Sequence, residues 1–154
     1  MISWIDVRDF LIVQQVELSF YRGFTVITGE TCAGKSIIVD ALAILLGSRT
    51  SAEIIRSGCT ACEIQAGFEL SGNSRARAWL DQHELASDSD ECTLRRVVYQ
   101  DKASRGFINA RPVPIQSLRE LGLLLVDIHG QLSLIHISEP TRPRLSSYAV
   151  FCLK

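Results

Sequence analysis

The chain has 154 residues, 16 Lys and Arg against 17 Asp and Glu, with 47% hydrophobic and 21% charged residues. That is enough chain to bury a real core. No apolar run approaches the roughly 20 residues of a membrane-spanning helix, the first residues lack the basic-then-apolar pattern of a secretory signal, and a net charge of −1 argues against a surface built mainly to neutralise phosphates.

In chain order, residues 2–20 alternate loosely, with Ile5, Val7, Phe10, Ile12, Val13, Val16, Leu18 and Phe20 set among polar positions. The pattern predicts two short strands joined by a turn near Arg8-Asp9-Phe10. Gly23 breaks it, and Phe24–Thr28 reads as a buried, β-branched strand. The glycine-rich run Gly29–Ser36 follows, and then Ile37–Leu46, a helix apolar nearly all round and stopped by Gly47. Residues 48–60 are turn-rich. Cys62, Ile64, Ala66, Phe68 and Leu70 alternate strictly, predicting a strand over 61–70 with one wet face. Residues 74–85 read as a helix and 86–91 as an acidic turn. Residues 94–99 and 106–109 bracket a hairpin, Pro114 opens a short helix over 114–121, and Leu123–Asp127 reads as another buried strand ending in Ile128-His129-Gly130-Gln131. The fold class expected is α/β, with a parallel phosphate-binding core and an added antiparallel β layer.

The five cysteines, Cys32, Cys59, Cys62, Cys92 and Cys152, are an odd, scattered set, expected as free thiols rather than a disulfide framework. Cys59-Thr60-Ala61-Cys62 is a C-x-x-C, but no second pair completes four zinc ligands. It also leads into a predicted strand instead of opening a helix, as a thioredoxin-like pair would. His83 is expected on a solvated helix face. Asp88, Asp90 and Glu91 are expected in a solvated loop, and Leu70-Ser71-Gly72-Asn73 as a strand-to-helix turn despite its echo of an L-S-G-G signature.

Gly29-x4-Gly34-Lys35-Ser36 matches the P-loop pattern G-x-x-x-x-G-K-[ST] in full, between a β-branched strand and an apolar helix. Glycines let successive backbone N–H groups turn inward onto phosphates, and the helix N-terminus adds its dipole. Lys35 would reach the β- and γ-phosphates and the Ser36 hydroxyl would bind Mg2+. A second acid for hydrolysis has one candidate, Asp127 at the end of Leu123-Leu124-Leu125-Val126. On that reading the chain is a compact stand-alone NTPase with Asp127 as its Walker B residue. A non-catalytic nucleotide-binding module is the other alternative. His129 stands beside Gln131 with its role open.

Four segments taken together carry a resemblance. They are Ile5-x-Val7-Arg8-Asp9-Phe10, Gly29-Glu30-Thr31-x-Ala33-Gly34-Lys35-Ser36, Arg105-Gly106-Phe107-Ile108-Asn109-Ala110-Arg111-Pro112-Val113 and Leu125-Val126-Asp127-Ile128-His129-Gly130-Gln131. Over residues 1–131 the chain resembles the N-terminal part of the RecN family of bacterial DNA repair proteins, in the SMC-like branch of ABC ATPases. The resemblance implies the N-terminal lobe of an ATPase head, an incomplete domain. The coiled coil, signature motif, Walker B acid and switch histidine would follow elsewhere. It implies ATP and Mg2+ as cofactors, with Gly29, Glu30, Thr31, Cys32, Ala33, Gly34, Lys35 and Ser36 around the phosphates. Gln131 becomes the Q-loop glutamine near Mg2+, and Asp127 loses its Walker B role. The implied partners are DNA, a second head in a homodimer, and the C-terminal lobe of the same head, in the bacterial cytoplasm with no membrane. Cys32 departs from the glycine usual in the family. A position needing φ > 0 would be strained by its Cβ, and the isolated lobe is expected to hydrolyse ATP weakly or not at all.

Residues 132–154 hold two of the four prolines and show no period. Leu132–Arg142 resembles a translated transposase-end adapter, and Ser147–Lys154 the far end of the same adapter. The tail is therefore expected to be non-native and unstructured, and is set aside from fold reasoning. Without it, residues 1–131 carry 13 basic and 16 acidic side chains.

Overall fold

Period-two alternation marks the strands of a single sheet. The computed structural model describes residues 1–23, Thr25 and 32–126, with the side chains of 32–35 left aside. Strands β1 (Ile2–Phe10), β2 (Val13–Ser19), β3 (Ala61–Glu69), β4 (Glu91–Tyr99), β5 (Arg105–Ile108) and β6 (Arg111–Val113) form one sheet in the order β2-β1-β3-β4-β5-β6. Every pairing is antiparallel. Helices α1 (Cys32–Leu45), α2 (Ser74–Gln82) and α3 (Ile115–Leu125) complete the fold, with a 3-10 turn at Ala52–Ile54.

One face of the sheet and all three helices share a single apolar cluster. Ile5 and Val7 of β1, Ile64, Ala66 and Phe68 of β3, and Leu94 and Val98 of β4 meet Ala41 and Leu45 of α1, Leu80 of α2, and Leu118 and Leu121 of α3. Fully burying a side chain of this size is worth about 1.5–3 kcal/mol, so this face carries most of the fold's stability. Glycine permits two close approaches. Gly106 lets α3 seat on β5, since a Cβ there would lie 2.7 Å from Leu118 Cδ1, and Gly67 lets the Trp4 indole lie across β3.

Helices α1 and α2 stop in the same way. After α1, Gly47 (φ +92°) donates to Ile44 O at 3.0 Å and Ser48 to Ala43 O at 3.1 Å. After α2, Glu84 (φ +56°) donates to Asp81 O at 3.1 Å and Leu85 to Leu80 O at 2.9 Å. Both are Schellman closures. Glu84 is why α2 ends at Gln82 and not at Leu85. Asn73, ending the Leu70–Asn73 turn, caps α2 by accepting from Ala76 N at 3.0 Å and donates to Leu124 O of α3 at 2.7 Å.

Three expectations change. The first hairpin turns at Leu11-Ile12 and not near Arg8-Asp9-Phe10, because β1 continues to Phe10, paired with Val13. Leu123–Leu125 are helical and not a strand. They complete α3, whose buried positions Leu118, Leu121, Gly122 and Leu125 follow helical spacing, and leucine is a strong helix former. The helix begun after Pro114 thus runs to Leu125 instead of 121, and Val126 is the first extended residue beyond it (φ −138°, ψ 135°). Among the described residues the sheet is antiparallel throughout. Of the two segments expected to build a parallel core, Leu123–Leu125 are helical, while Asp127 and all of Phe24–Thr28 except Thr25 lie outside the described residues.

Candidate phosphate-binding site

The P-loop pattern runs into α1, and α1 is the part of the site the structure describes. Cys32, Ala33, Gly34 and Lys35 form its first turn. A helix start leaves four backbone N–H groups without intrahelical acceptors, and with the macrodipole they favour an anion there. Cys32 is the first residue of α1. Ser36 is exposed, and Asp40, one turn on, lies on the same exposed stripe between the buried Ile37, Ile38, Val39, Ala41 and Leu42. An exposed hydroxyl in the second turn suits a cation ligand. Partial desolvation pushes the Asp40 carboxyl above its ordinary pKa. Gly29, Glu30, Thr31, Asp127, His129, Gln131 and residues 132–154 lie outside the described residues.

The far end of α1 is gripped from two sides. Against α3, Gly47 and Gly122 allow close contact: a Cβ on Gly47 would lie 2.8 Å from Arg119 Cβ, and one on Gly122 would lie 3.0 Å from Leu46 Cδ2. From the sheet, Arg96 of β4 donates from Nη1 to Ile44 O in the last turn of α1 at 2.5 Å and to Ser48 O, just past the helix, at 2.7 Å. Sequence reasoning missed Arg96 and Asp40. The only signal for Arg96 is a charge at an inward position of the run Cys92, Leu94, Arg96, Val98.

The other singled-out residues fall elsewhere. His83 is exposed at the α2 C-terminus and stacks on Trp79, ring centroids 3.9 Å apart. Asp88, Asp90 and Glu91 are exposed, and Asp90 pairs with Arg77. Cys59, Cys62 and Cys92 are free thiols. Cys62 lies inside β3, where burial pushes its thiol up to about 12. Among the described residues no helix is long and apolar enough to cross a membrane, and no group of three or more potential metal ligands occurs.

A helix seated on an antiparallel sheet is the fold that the described residues share with solved SMC head structures. A chain from a study titled as the structural biochemistry of ATP-driven dimerization and DNA stimulated activation of SMC ATPases superposes with a TM-score of 0.62 at 24% identity, covering 80% of this chain and 78% of that one. At that identity the likeness is one of fold. The chain belongs to the AAA domain family, whose profile matches residues 5–119. Within that class it is similar to the DNA repair protein RecN. It is 44% identical over 131 residues to RecN of Vibrio cholerae, covering 85% of this chain and 24% of the relative. RecN of Xylella fastidiosa is likewise 44% identical over 131 residues, 85% of this chain and 23% of the relative. The chain thus spans about a quarter of the length of the curated relatives it matches.

Proposed function

We propose that residues 1–131 are the ATP-binding N-terminal lobe of a RecN-like ATPase head acting in DNA double-strand-break repair and recombination, and that residues 132–154 are a non-native tail. Gly29, Glu30, Thr31, Cys32, Ala33, Gly34, Lys35 and Ser36 cradle the phosphates of ATP, and Ser36 and Gln131 hold Mg2+. The observation that carries this reading is the complete Gly29-x4-Gly34-Lys35-Ser36 motif running into α1, in a chain 44% identical to RecN proteins over 131 residues. The coiled coil, signature motif and Walker B acid belong to the remainder of the relatives' length. The working partners are the C-terminal lobe, a second head and DNA, in the bacterial cytoplasm at the nucleoid. Two heads would close on nucleotide between one P-loop and the partner's signature motif, so a single lobe binds without turning over.

Titration with a fluorescent ATP analogue and Mg2+ tests this. Saturable binding is expected, lost in Lys35→Ala, with negligible hydrolysis. Binding that appears only in Cys32→Gly would keep the site and assign the block to the cysteine side chain. Robust Mg2+-dependent turnover abolished by Lys35→Ala would replace the half-head reading with a stand-alone NTPase. For the tail, the genomic sequence beyond Gln131 decides: a native frame continuing into the same 23 residues would overturn its assignment.

A further inference from the structure

Arg96 is a charged side chain in a place that favours none. It projects from β4 into the apolar cluster between Leu94 and Val98 and is 3% exposed. Burial depresses its pKa, and among the described residues its Nε has no hydrogen-bond partner. An aliphatic side chain would fill the same space without desolvating a guanidinium. What Arg96 does secure is a directed grip. Nη1 donates to both Ile44 O and Ser48 O, and Nη2 donates to Ser104 Oγ at 3.3 Å in the connection between β4 and β5.

Helix α1 has no basic residue in its own last turn. The cation that meets its carbonyl end therefore comes from 52 residues away in the chain, where it offsets the negative end of the dipole. The glycine contacts with α3 restrain α1 sideways. Arg96, bonded to Ile44 O in its last turn and to Ser48 O in the closure that follows, restrains it along its axis. A 14-residue helix is a rod about 20 Å long, so fixing one end along the axis fixes the other.

We infer that Arg96 is a positioning residue: it sets the axial placement of α1 against the sheet and, resting on the ATP-binding reading above, the placement of the phosphate-binding turn at the opposite end. It touches no nucleotide itself. Because Ser104 shares the guanidinium, the β4–β5 connection is mechanically joined to that helix.

Hydrogen exchange on the nucleotide-free chain separates this role from local packing. Arg96→Met is compared with the parent and with Leu80→Ala, a buried change on α2 away from the Arg96 hydrogen bonds. All three are measured at a temperature where circular dichroism shows each folded. Arg96→Met is expected to lose protection along the whole of α1, including Ile37–Ala41, while Leu80→Ala keeps it. Arg96→Lys, still able to donate to one carbonyl, should recover part of it. Loss confined to Ile44–Ser48, or equal loss in Leu80→Ala, overturns the inference. A second arm reads affinity for the fluorescent ATP analogue, expected to fall roughly tenfold in Arg96→Met, equivalent to about 1.4 kcal/mol. Unchanged affinity overturns the link to the phosphate end. A parent that binds no nucleotide sinks the ATP reading alone and leaves the exchange result to decide the placement of α1. Should Arg96→Met fail to fold, Arg96→Lys and Ser104→Ala carry the same exchange comparison.

Discussion

The two faces of the sheet are made by the same strands and obey different rules. On the covered face, alternate residues of β1, β3 and β4 are apolar and meet three helices. On the open face the intervening positions are Trp4, Asp6 and Arg8 of β1, facing Gln15 and Glu17 of β2 and Glu63 and Gln65 of β3. Arg95 of β4 lies over the Phe107 ring at 4.1 Å and near Glu63 at 3.5 Å. Among the described residues each face contains one buried charge. Asp6 is a carboxylate on the open face that is 5% exposed, held by Arg8 Nε at 2.9 Å and by the amides of Gln15 and Gln65 at 3.4 and 3.3 Å. Arg96 is the buried cation of the covered face. Asp6 satisfies its neighbours within the sheet, whereas Arg96 spends its bonds on a helix. The contrast separates a charge that organises its own surface from one that couples two elements.

The sharpest way to break this comparison is Phe68→Ala on the covered face, where Phe68 is fully buried. Urea unfolding should show a loss of about 3–5 kcal/mol. A loss below about 1 kcal/mol would move the seat of stability away from that face. The buried thiols come next. Desolvation pushes Cys62 and Cys92 from 9.0 up to about 12. Above pH 9 the unfolded chain releases these protons and the folded chain keeps them. Stability should therefore be intact below about pH 9 and fall as pH rises toward 12, by up to about 1.4 kcal/mol per thiol per pH unit. Urea midpoints at pH 8 and 10 measure it, and a slope unchanged in Cys62→Ala and Cys92→Ala would assign the effect to other groups. Asp6→Ala should cost about 0.5–1.5 kcal/mol, because the bonds from Arg8, Gln15 and Gln65 are lost while those donors can turn to water; a neutral result would make Asp6 an ordinary surface acid. Arg95→Ala should change stability by less than about 1 kcal/mol, since its pair with Glu63 is about one-third exposed on both sides. A larger loss would show that the open face carries a cooperative network.

Much of the covered face is legible in the order of the residues alone. Alternation through Cys62–Leu70 marks β3, the apolar run after Ser36 marks α1, and Gly47 marks its end. Pattern reading fails where one residue class serves two periods. Leu123–Leu125 is apolar under either geometry, and the helical set Leu118, Leu121, Gly122, Leu125 that settles it starts five residues earlier. The first turn is misplaced because Leu11 and Ile12 lack turn chemistry; Leu11 adopts φ +52° while partly exposed, a conformation glycine would enter with less strain. At the candidate site the G-x-x-x-x-G-K-S pattern is spelled out in consecutive residues and reads directly. Its supports do not, because Arg96, Gly47 and Gly122 act across long sequence separations through contacts that only the folded chain creates.

The sheet also ends differently on its two sides. Among the described residues β6 is three residues long and contains Pro112, which has no N–H to offer a neighbouring strand. β2 is seven residues long with no proline, and carries Val13, Val16 and Leu18. Strand addition is therefore discouraged at one margin and tolerated at the other. If copies of this chain ever associate by extending the sheet, the join falls at β2 against β2. A symmetric pair made that way uses up the long margin of the described sheet, so growth by that edge stops at two instead of running on into a fibre.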